Sequence, residues 1–215
     1  MDSAPECSVT ATFRAFGTLE VILPVPESQT VWCGDVTMIV IRDASTGKQQ
    51  AKISLQMEGS DTIISLVRAG PGSIWAVTAH GMIFVIDCMA LVTQRVVRTH
   101  VKLSYAVGDG ETFVCLISRS EVLVFTADSA VSHHTITLPG GEIVRNAEMD
   151  PSGVLYVVCE SSKLFAYDVV SGSVLAEGTS CSMPTCVTVQ GPFLWVGGGE
   201  NLCSPARDFG IAQRA

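Results

Sequence analysis

The sequence contains few charged residues, and basic residues are the scarcer kind. Only 16% of its 215 residues are charged, and 13 Lys and Arg stand against 21 Asp and Glu, which gives a net charge of −8. The basic residues are scattered along the chain, so no basic stripe is available to contact a phosphate backbone. Because nucleic-acid binding depends on such a stripe, we expect no nucleic-acid partner.

The N-terminus lacks the features of a secretory leader. It has Asp2 and no basic flank followed by an apolar core, so we expect a cytoplasmic protein. The most apolar window, residues 73–92, is long enough to cross a bilayer, but it contains His80, Gly81 and Asp87. Such residues are costly in the middle of a bilayer, so the window predicts two buried strands and no membrane span.

No Cys-x-x-Cys motif occurs among the eight cysteines. The nearest pair, Cys181 and Cys186, lacks the spacing of metal ligands. Cys33, Cys115 and Cys159 lie inside apolar runs, where cysteine behaves as a small hydrophobic residue. The pattern predicts free, buried thiols in a reducing compartment and no metal site.

An internal repeat of about 40 residues organises the chain. Its aromatic landmarks are separated by 43, 38, 43 and 39 residues, and in the first four units a second landmark follows after 11 to 13 positions. The aromatic landmarks are Trp32, Trp75, Phe113, Tyr156 and Trp195, and the second landmarks are Asp43, Asp87, Thr126 and Asp168. Two landmarks that hold their register over four units indicate a structural repeat.

Each unit predicts four short strands. A turn signal precedes the aromatic landmark, a β-prone run precedes that turn, and a second apolar run and a more polar run follow. The two middle runs are apolar throughout, which is typical of strands covered on both faces. A four-stranded meander of about 40 residues, stacked between two similar sheets, is a β-propeller blade.

The units resemble the blades of WD-repeat and YVTN-type propellers. Residues 155–178 are the most similar, with Tyr167-Asp168 in the place of the family's Trp-Asp pair. The pair is degraded to Arg42-Asp43, Ile86-Asp87 and Phe125-Thr126 elsewhere, and the family's Gly-His dipeptide and buried Asp-His-Ser/Thr-Trp network are absent. The resemblance covers residues 20–200 and implies an all-β propeller that binds protein partners through its rim loops.

We expect about four blades and a partial fifth, as in a fragment of a larger ring. Residues 201–207 depart from the pattern, because Ser204 and Pro205 stand where the fifth unit needs an apolar strand. A closed five-bladed ring is the alternative if residues 7–23 supply the missing strands. The predicted divisions are an N-terminal segment, 1–23, which can supply an outer strand, and a partial propeller over 24–215 with blades at 24–58, 59–100, 101–139, 141–180 and 181–215, the last incomplete.

The C-terminal residues contain Asp208-Phe209-Gly210, the magnesium-binding tripeptide of protein kinases. A kinase also needs a glycine-rich loop, a strand lysine and a His-Arg-Asp catalytic loop, and this sequence has none of them. Asp208 follows Trp195 by 13 residues, the same spacing that separates Thr126 from Phe113. We therefore interpret Asp208 as part of a diverged repeat.

Histidines and glycines offer three further candidate sites. His133 and His134 are adjacent on a strand and should point to opposite faces, so we expect a solvated outer strand and no shared metal ion. His80 lies in a turn between two central strands, where loops of a propeller rim bind partners, although an ordinary turn histidine is the simpler interpretation. The glycines at 197–199 lack the following Lys-Ser/Thr of a phosphate loop and predict a turn.

The recurring Asp43, Asp87 and Asp168 would lie on different blades, and we expect them to satisfy backbone turns. We predict no catalytic, cofactor-binding or metal-binding residues, since no such constellation is recognisable. A propeller enzyme of the lactonase or quinoprotein type would need acidic ligands on its inner strands, and the runs IISLV and LSYAV offer none. The expected function is a non-catalytic interaction scaffold; the alternative is the regulatory propeller segment of a larger cytosolic enzyme, such as a phosphoinositide phosphatase or a kinase.

Overall fold

The computed structural model describes residues 20–57, 59–191, 193–199 and 201–202. Within these ranges the chain is all-β, and its strands form five antiparallel meanders, four with four strands and the last with three. The first two sheets contain β1 (Val21–Val25), β2 (Thr30–Gly34), β3 (Met38–Asp43) and β4 (Gln49–Ser54), then β5 (Ile63–Arg68), β6 (Ser73–Thr78), β7 (Met82–Asp87) and β8 (Val92–Arg98). The other sheets contain β9 (Tyr105–Gly108), β10 (Phe113–Ile117), β11 (Glu121–Thr126) and β12 (Val131–Thr137), then β13 (Val144–Met149), β14 (Val154–Cys159), β15 (Lys163–Asp168) and β16 (Val174–Thr179), and finally β17 (Pro184–Gln190), β18 (Phe193–Gly198) and β19 (Asn201–Leu202).

The first strand of each sheet lies at the centre of the molecule. β1, β5, β9, β13 and β17 pack against one another in that order, and the Ala106 N–H on β9 donates a 2.9 Å hydrogen bond to Ser65 Oγ on β5. The fourth strands lie outermost, and β8 is exposed along nearly its whole length. Sheets arranged radially around their first strands are the blades of a β-propeller, and they are called blades 1 to 5 below.

The core consists of apolar layers between successive blades. Ile74 and Ala76 on β6 belong to the layer shared with blade 1, whereas Trp75 and Val77 belong to the layer shared with blade 3. All four side chains are fully buried. The central strands are therefore covered on both faces, which confirms the prediction made from their uninterrupted apolar runs.

The turn before the second strand of blade 4 shows how the sequence ends a strand. Asp150 Oδ1 accepts hydrogen bonds from the backbone N–H groups of Ser152 and Val154, at 2.9 and 3.0 Å. Gly153, at a φ of +83°, donates its N–H to the Asp150 carbonyl, and glycine adopts this left-handed conformation readily. Asp109 caps the equivalent turn of blade 3 in the same way.

Two cysteines lie in the layer between blades 3 and 4. Cys115 and Cys159 are free, fully buried thiols, as their apolar surroundings in the sequence predict. Burial raises the pKa of Cys159 to about 12, so this thiol is unreactive at neutral pH. Cys33 is only half-buried, and Cys186 is exposed on β17.

The predicted N-terminal boundary and the two terminal segments can be compared with the strand bounds of the structure. Residues 21–23, which the sequence assigned to the N-terminal segment, form most of β1, the inner strand of blade 1. The predicted boundary at 23/24 thus falls inside a strand, and the remaining blade boundaries stay predictions. Residues 1–19 and 203–215, which include Pro205 and Asp208, lie outside the described residues.

Candidate functional site

The recurring aspartates close the hairpins between the third and fourth strands. Asp43 Oδ1 accepts a hydrogen bond from the Thr46 backbone N–H at 2.7 Å, and Asp87 Oδ1 accepts one from that of Ala90 at 2.8 Å. The bond from Ala90 is the main reason why the pKa of Asp87 lies below its ordinary value. Asp168 accepts from a backbone N–H three residues later in the same manner. The three carboxylates therefore stabilise separate turns, as the sequence predicts.

His80 pairs with a buried aspartate that sequence reasoning missed. Asp61, in the loop before β5, has a side chain only 2% exposed, and its Oδ1 lies 3.2 Å from His80 Nδ1. The same oxygen accepts hydrogen bonds from the backbone N–H groups of Thr62 and His80, at 2.9 and 3.0 Å. The contact ties the loop that enters blade 2 to the turn between its two central strands. Nothing in the local sequence signals it, because the two residues are brought together only by strand pairing.

The expected orientation of His133 and His134 is wrong. Their Nδ1 atoms lie 2.6 Å apart, and the His133 ring also contacts Phe113 edge-on, with ring centroids 5.8 Å apart. The reason is an irregularity in β12: Val124 pairs with His134, whereas Phe125 pairs with Ser132. The residue between them is the extra residue of a β-bulge, which breaks the strict alternation of side chains.

The histidine contact predicts that acid destabilises the protein. The Nδ1···Nδ1 contact requires one neutral ring, because two imidazolium groups would have no acceptor between them. Burial, and then the charge of His133, lower the pKa of His134 from its ordinary 6.5. A histidine with a lowered folded-state pKa contributes stability above its unfolded pKa and loses it as the pH falls through the folded value.

We therefore expect the melting temperature to fall between about pH 7.5 and pH 5. The double variant His133→Ala/His134→Ala should show a smaller fall over the same range, by about 1–3 °C. Circular dichroism melts of the two proteins in matched buffers measure the difference. A variant whose pH dependence equals that of the unmodified protein would exclude this pair as its source.

Close packing explains two of the three consecutive glycines, and a left-handed backbone explains the third. Gly197 and Gly198 lie on β18, where an added Cβ would come within 2.7 Å of Cys186 Sγ and would overlap the Met183 carbonyl oxygen, respectively. Gly199 has a φ of +59° and follows β18 in a turn. The predicted turn is therefore confirmed only at Gly199, since Gly197 and Gly198 lie on a strand.

The inner strands contain an acidic residue that sequence reasoning overlooked. Glu148 on β13 is partly buried, and burial raises its pKa. Tyr105, on the neighbouring inner strand β9, has a raised pKa chiefly because of its own burial, with a smaller effect of Glu148. Across the described ranges, no three His, Cys, Asp or Glu side chains come together to hold a metal ion.

Exposed apolar side chains recur at the hairpins between the third and fourth strands of blades 2, 3 and 4. Val92, Val131 and Val174 each open the fourth strand of their blade and are 52%, 59% and 50% exposed. Met89 and Val170, in two of the preceding turns, are exposed as well. We call these five residues the hairpin belt. In blade 1 the corresponding strand opens with the polar Gln49.

Isolated exposed apolar residues are normal on protein surfaces. The hairpin belt differs because its valines lie at the same hairpin of three adjacent blades. Val92 and Val131 pair with the second landmarks Asp87 and Thr126, and Val174 pairs with Tyr167, one residue before the landmark Asp168. Sequence reasoning missed the belt because these fourth strands read as polar overall. The exposed valines at these hairpins could have been identified only after the strand bounds were known.

No protein-family model and no curated protein matches the sequence of this chain. Among solved structures, the chain is similar to the β-propeller domain of Myceliophteria thermophila Cps50 (Swd1), with a TM-score of 0.72 and 15% sequence identity. The similarity covers 89% of this chain and 65% of that domain. At this identity the likeness shows the fold, so the chain has the β-propeller architecture that the repeat predicts.

In the part of the chain that the structure describes, no helix has the length and apolarity needed to cross a membrane.

Proposed function

We propose that this propeller is a non-catalytic, cytoplasmic interaction platform that binds protein partners at its rim. The observation that carries the proposal is the hairpin belt, in which exposed valines recur at one edge of three successive blades. Exposed apolar residues that recur at one rim of a propeller are candidates for a binding site for another protein. Loops held by a rigid scaffold are also the usual location of such sites.

The belt is suited to a protein surface with its own apolar side chains. Each valine is about half exposed, so contact with a partner would bury further apolar area at every blade. If each contact contributes about 1 kcal/mol, three of them change the affinity by about a hundredfold. The polar groups of the intervening turns, including the recurring aspartates, are already occupied by their own backbones.

The proposal predicts that the triple variant Val92→Ser/Val131→Ser/Val174→Ser loses its partners while keeping its fold. The unmodified protein and the variant, immobilised at equal density, are compared by quantitative mass spectrometry of the proteins they retain from cell extract. We expect bound partners to fall by about a hundredfold in the triple variant.

Gln49→Ser is the matched control, since Gln49 opens the fourth strand of blade 1. It should retain the same partners as the unmodified protein. Equal recovery on all three proteins, or equal loss in the control, would contradict a role for the belt.

A further inference from the structure

A groove separates blades 1 and 2 at the outside of the propeller. Its volume is about 830 Å³, and it lies between the segment that follows β4 and the strands β7 and β8. Phe84 and Met82 are 2% and 6% exposed, and Val96, 45% exposed, lies beside them. Met57 contributes from blade 1 and Arg98 from the end of β8. Ser54, Gln56 and Thr93 complete the lining, so the groove combines apolar side chains with polar ones and one basic group.

Other blades do not repeat this combination. Val96 pairs with Phe84, which lies three residues before the landmark Asp87. In the other four-stranded blades, the fourth-strand residue that pairs with the corresponding position is polar. These residues are Lys52 in blade 1, Thr135 in blade 3 and Glu177 in blade 4.

Arg98 also differs from the residues at the equivalent positions of the other blades. It pairs with Met82, and its equivalents are Ser54, Thr137 and Thr179. In the four blades with a fourth strand, only blade 2 thus places an apolar and a basic side chain together on the outer strand, facing the preceding blade.

Arg98 places a positive charge at the groove of a protein whose net charge is −8. Residues 88–108 contain no acidic residue, but Arg95 lies on the opposite face of β8, where it pairs with Val85 and its guanidinium group donates to the Asp128 carbonyl of blade 3. Basic residues on an outermost strand also discourage pairing with other sheets. Val96 does not help to prevent such pairing, because it adds exposed apolar surface to the outermost strand.

We propose that this groove binds an extended peptide of a partner protein, in which one large apolar side chain is flanked by acidic residues. The apolar side chain would cover Phe84, Met82 and Val96. The acidic residues would meet Arg98, whose guanidinium group has five N–H donors and can bind a carboxylate in addition to its present contacts. The inference rests on the proposed function as an interaction platform and names the class of ligand for one site.

The test is a selection of random dodecapeptides displayed on phage, with the unmodified protein as bait and the Val96→Glu variant as the competitor that removes other binders. We expect the enriched sequences to join Leu, Ile, Met or Phe to neighbouring Asp or Glu. One enriched peptide, synthesised with a fluorescent label, should bind about tenfold more weakly to Val96→Glu and to Arg98→Glu. Its binding should also weaken when the ionic strength rises from about 50 to about 500 mM.

Thr135→Glu is the matched control, because it adds the same charge at the position of blade 3 that corresponds to Val96. It should leave the peptide affinity unchanged, and circular dichroism melts verify that all three variants fold. Failure to enrich any sequence, enrichment of basic or uncharged sequences, or equal binding to all variants would overturn the proposal. If the peptide experiment fails but the Val96→Glu variant still captures the partners that depend on the hairpin belt, only the groove assignment fails. If the peptide experiment fails and the belt substitutions also leave partner capture unchanged, the proposed function fails as well.

Discussion

Replacing Trp75 with alanine is expected to lower the free energy of unfolding by about 3–5 kcal/mol. Trp75 is fully buried in the layer between blades 2 and 3 and contacts Phe125 edge-on, with ring centroids 6.2 Å apart. Its removal leaves a cavity that the two flanking sheets cannot close without changing their spacing. Urea denaturation followed by circular dichroism gives the unfolding free energy of both proteins.

Trp195→Ala is the control for this substitution. Trp195 is the aromatic landmark of the fifth repeat, as Trp75 is of the second, but it is 43% exposed. We expect a loss of about 1 kcal/mol, since much less surface is withdrawn from water. Equal losses at the two positions would show that burial between blades is not what distinguishes them.

The contrast between the two tryptophans shows what a repeat predicts and what it leaves open. The spacing of aromatic landmarks places both residues on the second strand of a blade, and the structure confirms it. Their burial, however, depends on the next blade in space. Leu194 and Val196 on β18 are buried against blade 4, whereas Phe193 and Trp195 on its other face are exposed.

The strands themselves were predictable because two independent signals coincide. The apolar runs 83–86, 122–125 and 164–167, which follow the first polar turn of each unit, fall inside β7, β11 and β15. Each run lies between the aromatic landmark and the turn-forming landmark. Shifting the predicted strand by one residue would therefore move it out of register with both landmarks. Local sequence therefore determines the meander to within a residue or two.

The candidate binding features were not predictable, because each depends on cross-strand pairing. Val96 becomes unusual only when Phe84 is known to be its neighbour and Lys52, Thr135 and Glu177 its equivalents. The bulge at His133 shifts the register by one residue, so the two histidine side chains do not project from opposite faces of the strand as expected. Neither the register nor the bulge leaves a local signal in a strand of mixed polarity.

The turn between the central strands of blade 2 predicts the second large effect: Gly81→Ala should lower the free energy of unfolding by roughly 3 kcal/mol or more. Gly81 has a φ of +84°, which already disfavours any residue with a Cβ. An added Cβ would also overlap Thr99 Oγ1 and lie 2.5 Å from the Val101 carbonyl oxygen. Backbone at that distance cannot move without displacing the chain that leads from blade 2 to blade 3.

Gly72→Ala separates these two causes. Gly72 has nearly the same φ, +80°, but no heavy atom of the described residues lies within 4 Å of the site of its Cβ. Its substitution should cost only the left-handed conformation, about 1–2 kcal/mol. Urea denaturation of both variants compares the two losses, and the difference measures the close approach at Gly81. An equal loss would mean that the segment after β8 adapts freely to the added methyl group.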